Sequence, residues 1–242
     1  SRRAVLASIG TTTAAALGVG AAGAQSGSGS GDDEPRAALR VAHASPDAPA
    51  VDVAVDGDEV VSALDFRRAT DYLTLAPGDH DVRVTTADDG AVVYDETVTL
   101  DAEAYTAVAS GEATVDDPTV GVDLLRDTPV DIPEGEARVR VVHASPDAGP
   151  VDVTVDDGAR VPFDDLTAGE ALSITLDAGD REIEIRPDGD DTDDGLPRLE
   201  RVLELVAGEA YTVIVVGYVT PEGEASSEGL GLVVTSDRTT AP

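Results

Sequence analysis

The sequence contains no cysteine, methionine or tryptophan, no lysine and no asparagine, and a single glutamine, Gln25. Without cysteine there is no disulfide framework, no thiolate metal site, and no residue to carry a lipid behind an export signal. Without asparagine there is no N-glycosylation acceptor. Aromatic residues make up 3% of the chain, too few for the exposed platforms of a high-affinity sugar module. Positive charge is also scarce. All 16 basic residues are arginine, against 49 Asp plus Glu, and the formal net charge is -33. Phosphate recognition needs a basic face, so ordinary nucleic-acid binding is excluded. Beyond residue 24 the longest uncharged apolar run, residues 211–219, has the length of a strand and not of a membrane span.

What is present is a hydrophobic fraction of 41%, carried mostly by Val, Ala and Leu. That is enough for packed cores and excludes a wholly disordered chain. An acidic surface of this strength repels itself in dilute buffer and becomes tolerable where molar salt shortens the Debye length to roughly 3 Å. The composition resembles that of proteins from extremely halophilic archaea, and monovalent cations are the expected company of its surface carboxylates.

At the N-terminus, Arg2 and Arg3 precede an uncharged stretch, residues 4–24, rich in Ala, Gly and Thr. The arrangement resembles a twin-arginine export signal, with Ala22 and Ala24 as the small residues a signal peptidase reads and Gln25 as the mature start. Residues 1–24 are therefore read as a signal peptide that meets the membrane only before cleavage. The alternative is an uncleaved anchor, since such a stretch just spans a bilayer of about 30 Å. The expected location is extracellular or cell-surface. Residues 25–37 lack periodicity and read as a flexible Gly/Ser/acidic tether.

Residues 40–57 read RVAHASPDAPAVDVAVDG and residues 140–157 read RVVHASPDAGPVDVTVDD, identical at 13 of 18 positions. Leu75, Gly78 and Asp79 match Leu176, Gly179 and Asp180, and the segment EAYT recurs at 103–106 and 209–212. The chain is a tandem repeat of domain-sized units, predicted as 38–126 and 137–236, joined by a Pro/Gly-containing linker at 127–136 and ending in a tail at 237–242. Within each unit the apolar residues alternate with period two, as in Val51, Val53 and Val55, with turn signals every eight to twelve residues. The pattern predicts seven or eight short strands per unit, packed as an antiparallel β-sandwich. Tyr105 and Tyr211 sit where a Greek-key sandwich returns a tyrosine hydroxyl to nearby backbone.

The duplicated R-V-x-H-A-S-P-D-A-x-x-V-D-V-x-V-D, the later L-x-x-G-D and the A-Y-T strand resemble the family known as domain of unknown function 4397, in two copies. The resemblance implies an all-β chain of two tandem immunoglobulin-like sandwiches and a secreted or surface-attached location, and it brings no catalytic residues.

His43, Ser45 and Asp47, repeated as His143, Ser145 and Asp147, have the residue types of a catalytic triad. Residues at i and i+2 on a strand stand about 7 Å apart with parallel side chains, whereas the chemistry needs a hydroxyl within about 3 Å of the imidazole. The segment therefore reads as a structural turn or a binding surface. A secreted Ser/His hydrolase is the least favoured alternative. Two histidines one hundred residues apart make a poor zinc pair, and His80 has Arg181 near its counterpart position. A second alternative is calcium, held by Asp188, Asp190, Asp191, Asp193 and Asp194. This run departs from the EF-hand pattern by placing Arg201 where the closing glutamate belongs. The favoured expectation is a non-catalytic, cofactor-free, exported sandwich protein serving as envelope component, spacer or adhesion module. An envelope protein or a weakly bound glycan is its expected partner.

Overall fold

The computed structural model describes residues 35–115, 118–127, 131–187, 197–221 and 226–237. The stretch expected to be an export signal, with Arg2, Arg3, Ala22 and Ala24, and the acidic run with Asp188, Asp190, Asp191, Asp193 and Asp194 lie outside the described residues.

Sixteen strands are described, eight per repeat. The first repeat comprises β1 (Ala37–His43), β2 (Val51–Val55), β3 (Asp58–Leu64), β4 (Leu73–Leu75), β5 (Gly78–Thr86), β6 (Val92–Leu100), β7 (Ala104–Ser110) and β8 (Gly121–Arg126). The second comprises β9 (Glu136–His143), β10 (Val151–Val155), β11 (Arg160–Leu166), β12 (Ala171–Asp177), β13 (Gly179–Pro187), β14 (Leu199–Leu205), β15 (Ala210–Val216) and β16 (Gly231–Asp237). Each repeat is a sandwich of two four-stranded sheets with matching orders, β4-β1-β7-β8 over β3-β2-β5-β6 and β12-β9-β15-β16 over β11-β10-β13-β14. The pairing is antiparallel apart from one parallel pair in each sandwich, β1 with β7 and β9 with β15. Residue alternation is the same for both directions of pairing, so this detail is invisible in the sequence.

The valines read as alternating do face inward. Val51, Val53 and Val55 pack with Val41, Val82 and Val84, and their counterparts pack with Val139, Val141, Ile183 and Ile185. The outward aspartates are not idle. A bulge in β3 holds Ala63 at φ 49°, and one in β11 holds Asp165 at φ 57°. In each, the backbone N–H freed by the bulge is accepted by the aspartate of the repeated V-D-V strand, Asp52 at 2.7 Å and Asp152 at 3.0 Å. The predicted tyrosine corners are also present: the Tyr105 hydroxyl accepts the Asp101 N–H at 3.0 Å and that of Tyr211 accepts the Val206 N–H at 3.1 Å.

The strands β1, β7, β9 and β15 are buried along nearly their whole length. Alternation alone leaves one face of each in water, but the outer faces of the β1 and β9 sheets pack against each other. Ala42, Ala44 and Val108 of the first repeat form one cluster with Val142, Ala144, Ile214, Val216 and Val233 of the second. This is why residues 210–216 read as an unbroken apolar run, as in strands covered on both sides.

At the centre of this seam lie buried charges in a pseudo-twofold arrangement. Arg40 donates to its own repeat's Thr106 hydroxyl at 2.7 Å, and crosses the seam to the Ser236 carbonyl at 2.8 Å and the Asp237 carboxylate at 2.5 Å. Arg140 donates to Thr212 at 2.7 Å and crosses to the Arg126 carbonyl at 3.1 Å and the Asp127 carboxylate. Each threonine passes its own proton to its own repeat's aspartate, Thr106 to Asp127 and Thr212 to Asp237, both at 2.7 Å. Tyr72 also donates to Asp127 at 2.7 Å and lies under the Arg40 guanidinium, and its phenol is pushed up by burial. Asp127 and Asp237, which composition places in a linker and a tail, are thus part of the inter-repeat seam.

His80 closes the far end of the first repeat. One ring nitrogen lies 2.8 Å from the Ala76 carbonyl and the other 2.7 Å from the Asp56 carboxylate. Both partners are acceptors, which favours the protonated ring: its pKa is raised from 6.5, first by the Ala76 carbonyl and then by Asp56. Asp56 is lowered from 3.8, first by His80. The histidine's contribution is full below its unfolded pKa of about 6.5 and is lost as pH rises through the folded value; that of the aspartate is lost as pH falls through its own lowered value. The stability difference between wild type and His80→Gln is accordingly expected to be largest near pH 5 and to shrink toward pH 8 in denaturant titrations. A difference independent of pH contradicts the clasp.

Candidate binding site

Both HASPD segments leave the ends of β1 and β9 and turn toward the opposite sheet. His43 and His143 are fully buried. In each ring Nδ1 accepts the backbone N–H of the serine two residues on, at 3.4 Å for Ser45 and 3.2 Å for Ser145. The proton therefore sits on Nε2, which donates to the Pro49 carbonyl at 3.0 Å and the Gly149 carbonyl at 2.9 Å. The imidazole is a neutral staple across its own turn, and burial lowers the His43 pKa.

The aspartate of the motif fastens the turn to the loop after the seventh strand of its sandwich. Asp47 accepts the N–H groups of Ala113 at 2.8 Å and Thr114 at 2.6 Å and the Thr114 hydroxyl at 2.7 Å. Asp147 accepts the N–H groups of Val219 and Thr220, both at 2.8 Å. Burial alone raises the Asp47 carboxyl, and these donors more than reverse it, leaving the pKa below 3.8. The Ser45 hydroxyl lies 3.2 Å from Asp47, and that of Ser145 donates to the Gly217 carbonyl at 2.6 Å. Neither serine donates to an imidazole, and each Nδ1 is already occupied. The segment cannot run triad chemistry in this geometry. It is a double clamp, made once per sandwich.

What the first clamp does is shape a cleft. A cavity of about 630 Å³ opens beside it, walled by Pro46, Pro49, Phe66, Val92 and Val93, and rimmed by Asp88, Asp89 and Thr114. Its far side comes from the second repeat, through Ser226 and Glu228. Asp89 is held in its turn by the Thr86 hydroxyl at 2.5 Å and the Ala91 N–H at 3.1 Å. Among the described residues that line the cleft there is no basic side chain. Binding sites favour such inter-domain concavities with apolar walls and a few fixed polar groups.

Arg67 holds the two sides of the cleft together. It sits at φ 63°, where its counterpart in the second repeat is Gly169 at φ 84°; each donates its N–H to the motif histidine's carbonyl, at 3.0 and 2.8 Å. The guanidinium donates to the Gly229 carbonyl, lies 3.7 Å from Glu228, and covers the Phe66 ring at 5.0 Å. A non-glycine residue in this conformation is strained by about 1–2 kcal/mol, and here the strained position delivers a side chain across the seam.

Sequence reading did not single out Arg40, Arg140 or Arg67. The signal for the first two was present: an arginine at the same place in two apolar strands, each opposite a duplicated Tyr-Thr. Among the described residues Asp157, Glu182 and Glu184 also bring carboxylate oxygens within 4.8 Å of one another. Glu184, the buried one, is already paired with Arg186 at 2.6 Å and accepts the Thr154 hydroxyl.

The profile of the family described as a domain of unknown function, DUF4397, matches residues 37–154 and again 137–242. The chain belongs to this family, in two copies. No curated protein matches it. Among solved structures, a family 26 carbohydrate-binding module of Eubacterium rectale Amy13K, crystallised with maltoheptaose, is 11% identical, with 86% of this chain and 98% of that one covered at a TM-score of 0.26. A candidate cell adhesion protein of Bacteroides fragilis is 10% identical over 87% of this chain and 99% of its own, at a TM-score of 0.18.

Proposed function

We propose that the protein is an exported, non-catalytic component of the cell envelope that binds a neutral, hydroxyl-rich envelope glycan in the inter-repeat cleft. The observation that carries this reading is the cleft itself, an open concavity walled by both repeats at the end where the HASPD clamp fixes the loops. Its apolar wall of Pro46, Pro49, Phe66 and Val92 suits the C–H faces of sugar rings. Its rim offers carboxylate acceptors, so the ligand must bring donors, as sugar hydroxyls do. The lack of a basic side chain among the described lining residues disfavours anionic ligands, and hydrogen bonds from neutral hydroxyls survive the molar salt to which the acidic composition points. The N-terminal twin-arginine pattern supports export, and the neutral, stapled histidines support a binding role over hydrolysis.

The test is binding of labelled residues 25–242 to purified envelope in molar KCl. Val92→Arg, at a site 49% exposed in the cleft, is expected to weaken binding at least about tenfold. Val202→Arg, at a site 58% exposed on β14, is expected to leave it unchanged. Periodate treatment of the envelope should abolish binding. Equal binding by both variants contradicts the cleft, and binding lost to protease but not to periodate replaces the glycan with an envelope protein.

A further inference from the structure

The seam between the repeats presents the same chemistry from both sides. We infer that the outer face of the β1-β7-β8 layer is a self-recognition surface: its partner is a second copy of the same repeat, and the tandem chain carries that partner within itself. Each repeat contributes one arginine, one threonine and one aspartate, and both arginine–aspartate hydrogen bonds cross the seam, while each arginine lies farther from its own repeat's aspartate, 3.9 Å for Arg40 and Asp127 and 3.7 Å for Arg140 and Asp237. Asp127 is wholly buried and Arg40 is only 3% exposed. A face lacking the matched pair would leave a buried arginine and aspartate without their direct hydrogen bonds, keeping only the longer contact within the repeat, which opposes mispairing. The apolar remainder, from Ala42 and Val108 to Ile214 and Val233, supplies adhesion without direction.

Arg67 makes the pairing unequal. Its guanidinium lies against Gly217 and Gly231 and bonds the Gly229 carbonyl; a Cβ on Gly231 would stand 2.9 Å from the guanidinium carbon. The second repeat has Gly169 in the place of Arg67, so this side chain crosses the seam in one direction only. The crossed charges therefore select a repeat as partner, and Arg67 adds a contact that only the first repeat supplies.

The experiment uses the full chain with a protease site inserted in the exposed stretch 131–134, cut after folding and passed over a sizing column in molar KCl. The two halves are expected to co-elute at the position of the uncut chain. Ile214→Asp should release them, because Ile214 faces the other repeat while Val213 and Val215 face their own core. Arg67→Gly, copying Gly169, should raise the concentration at which the halves separate by about tenfold. Separation of the wild-type halves overturns the inference, as does co-elution of the cut Ile214→Asp chain. Loss of the strand spectrum in uncut Ile214→Asp also overturns it, since the face would then belong to one shared core and not to two docked bodies. None of these readouts involves the cleft's ligand.

Discussion

Replacing Asp127 by alanine is expected to lower the unfolding free energy by about 3–5 kcal/mol, the range found when one partner of a buried ion pair is removed. Its carboxylate takes the Arg140 guanidinium, the Thr106 hydroxyl and the Tyr72 hydroxyl, with Arg40 a further 3.9 Å away. No water replaces it, because its side chain has no exposure. Alanine leaves Arg140 charged, buried and facing only the Arg126 carbonyl and Thr212, with Asp237 3.7 Å off. Denaturant titration in molar KCl measures the effect. A loss below about 1 kcal/mol would place this pair among exposed ion pairs and deny the seam its charged lock.

Gly217→Ala is expected to be comparably damaging for a different reason. The residue sits at φ +87°, and a Cβ there would stand 2.1 Å from the Gly229 carbonyl oxygen and 2.9 Å from its carbon. Both obstacles are backbone, and Gly229 is held by its bridge to Tyr218 and by the pairing of β16, two residues on, with β15. The Gly217 carbonyl also receives the Ser145 hydroxyl, so displacement there loosens the second clamp. Gly90 provides the comparison. It has φ +72° with nothing within 4 Å of a built Cβ, so Gly90→Ala should cost only the left-handed penalty of about 1–2 kcal/mol. Gly217→Ala should exceed it by at least about 2 kcal/mol, in the range of overpacked cores. Equal losses at the two sites would show that the loop after β15 yields to the clash.

The parts of the fold that depend on local periodicity were legible in the sequence. Val51, Val53 and Val55 alternate because one face of β2 is buried, and the repeat at an offset of 100 residues duplicates that evidence. The HASPD segments were legible as structural turns, since residues at i and i+2 stand too far apart for triad chemistry, and His143 follows the alternation of Val139 and Val141. The seam was not legible, because it depends on a second layer of burial laid over the first. Arg40 occupies an outward position, where a lone strand would simply be solvated, and nothing local says that another repeat covers it. Asp127 and Asp237 are 110 residues apart, out of register with the HASPD offset, so the duplication hides their equivalence. The cleft is a product of the seam, with Phe66 on one side and Glu228 on the other, 162 residues apart in sequence. Arg67 could be found only by its backbone, at a position where its counterpart is glycine.

Hydrogen exchange of residues 25–242, alone and with purified envelope in molar KCl, tests the binding role most directly. Protection is expected to rise at 46–49, 86–92 and 226–228, the turn, rim and far wall of the cleft, with little change elsewhere. Protection centred instead on the exposed Val202 and Val206 of the opposite repeat, with the cleft segments unchanged, would contradict it.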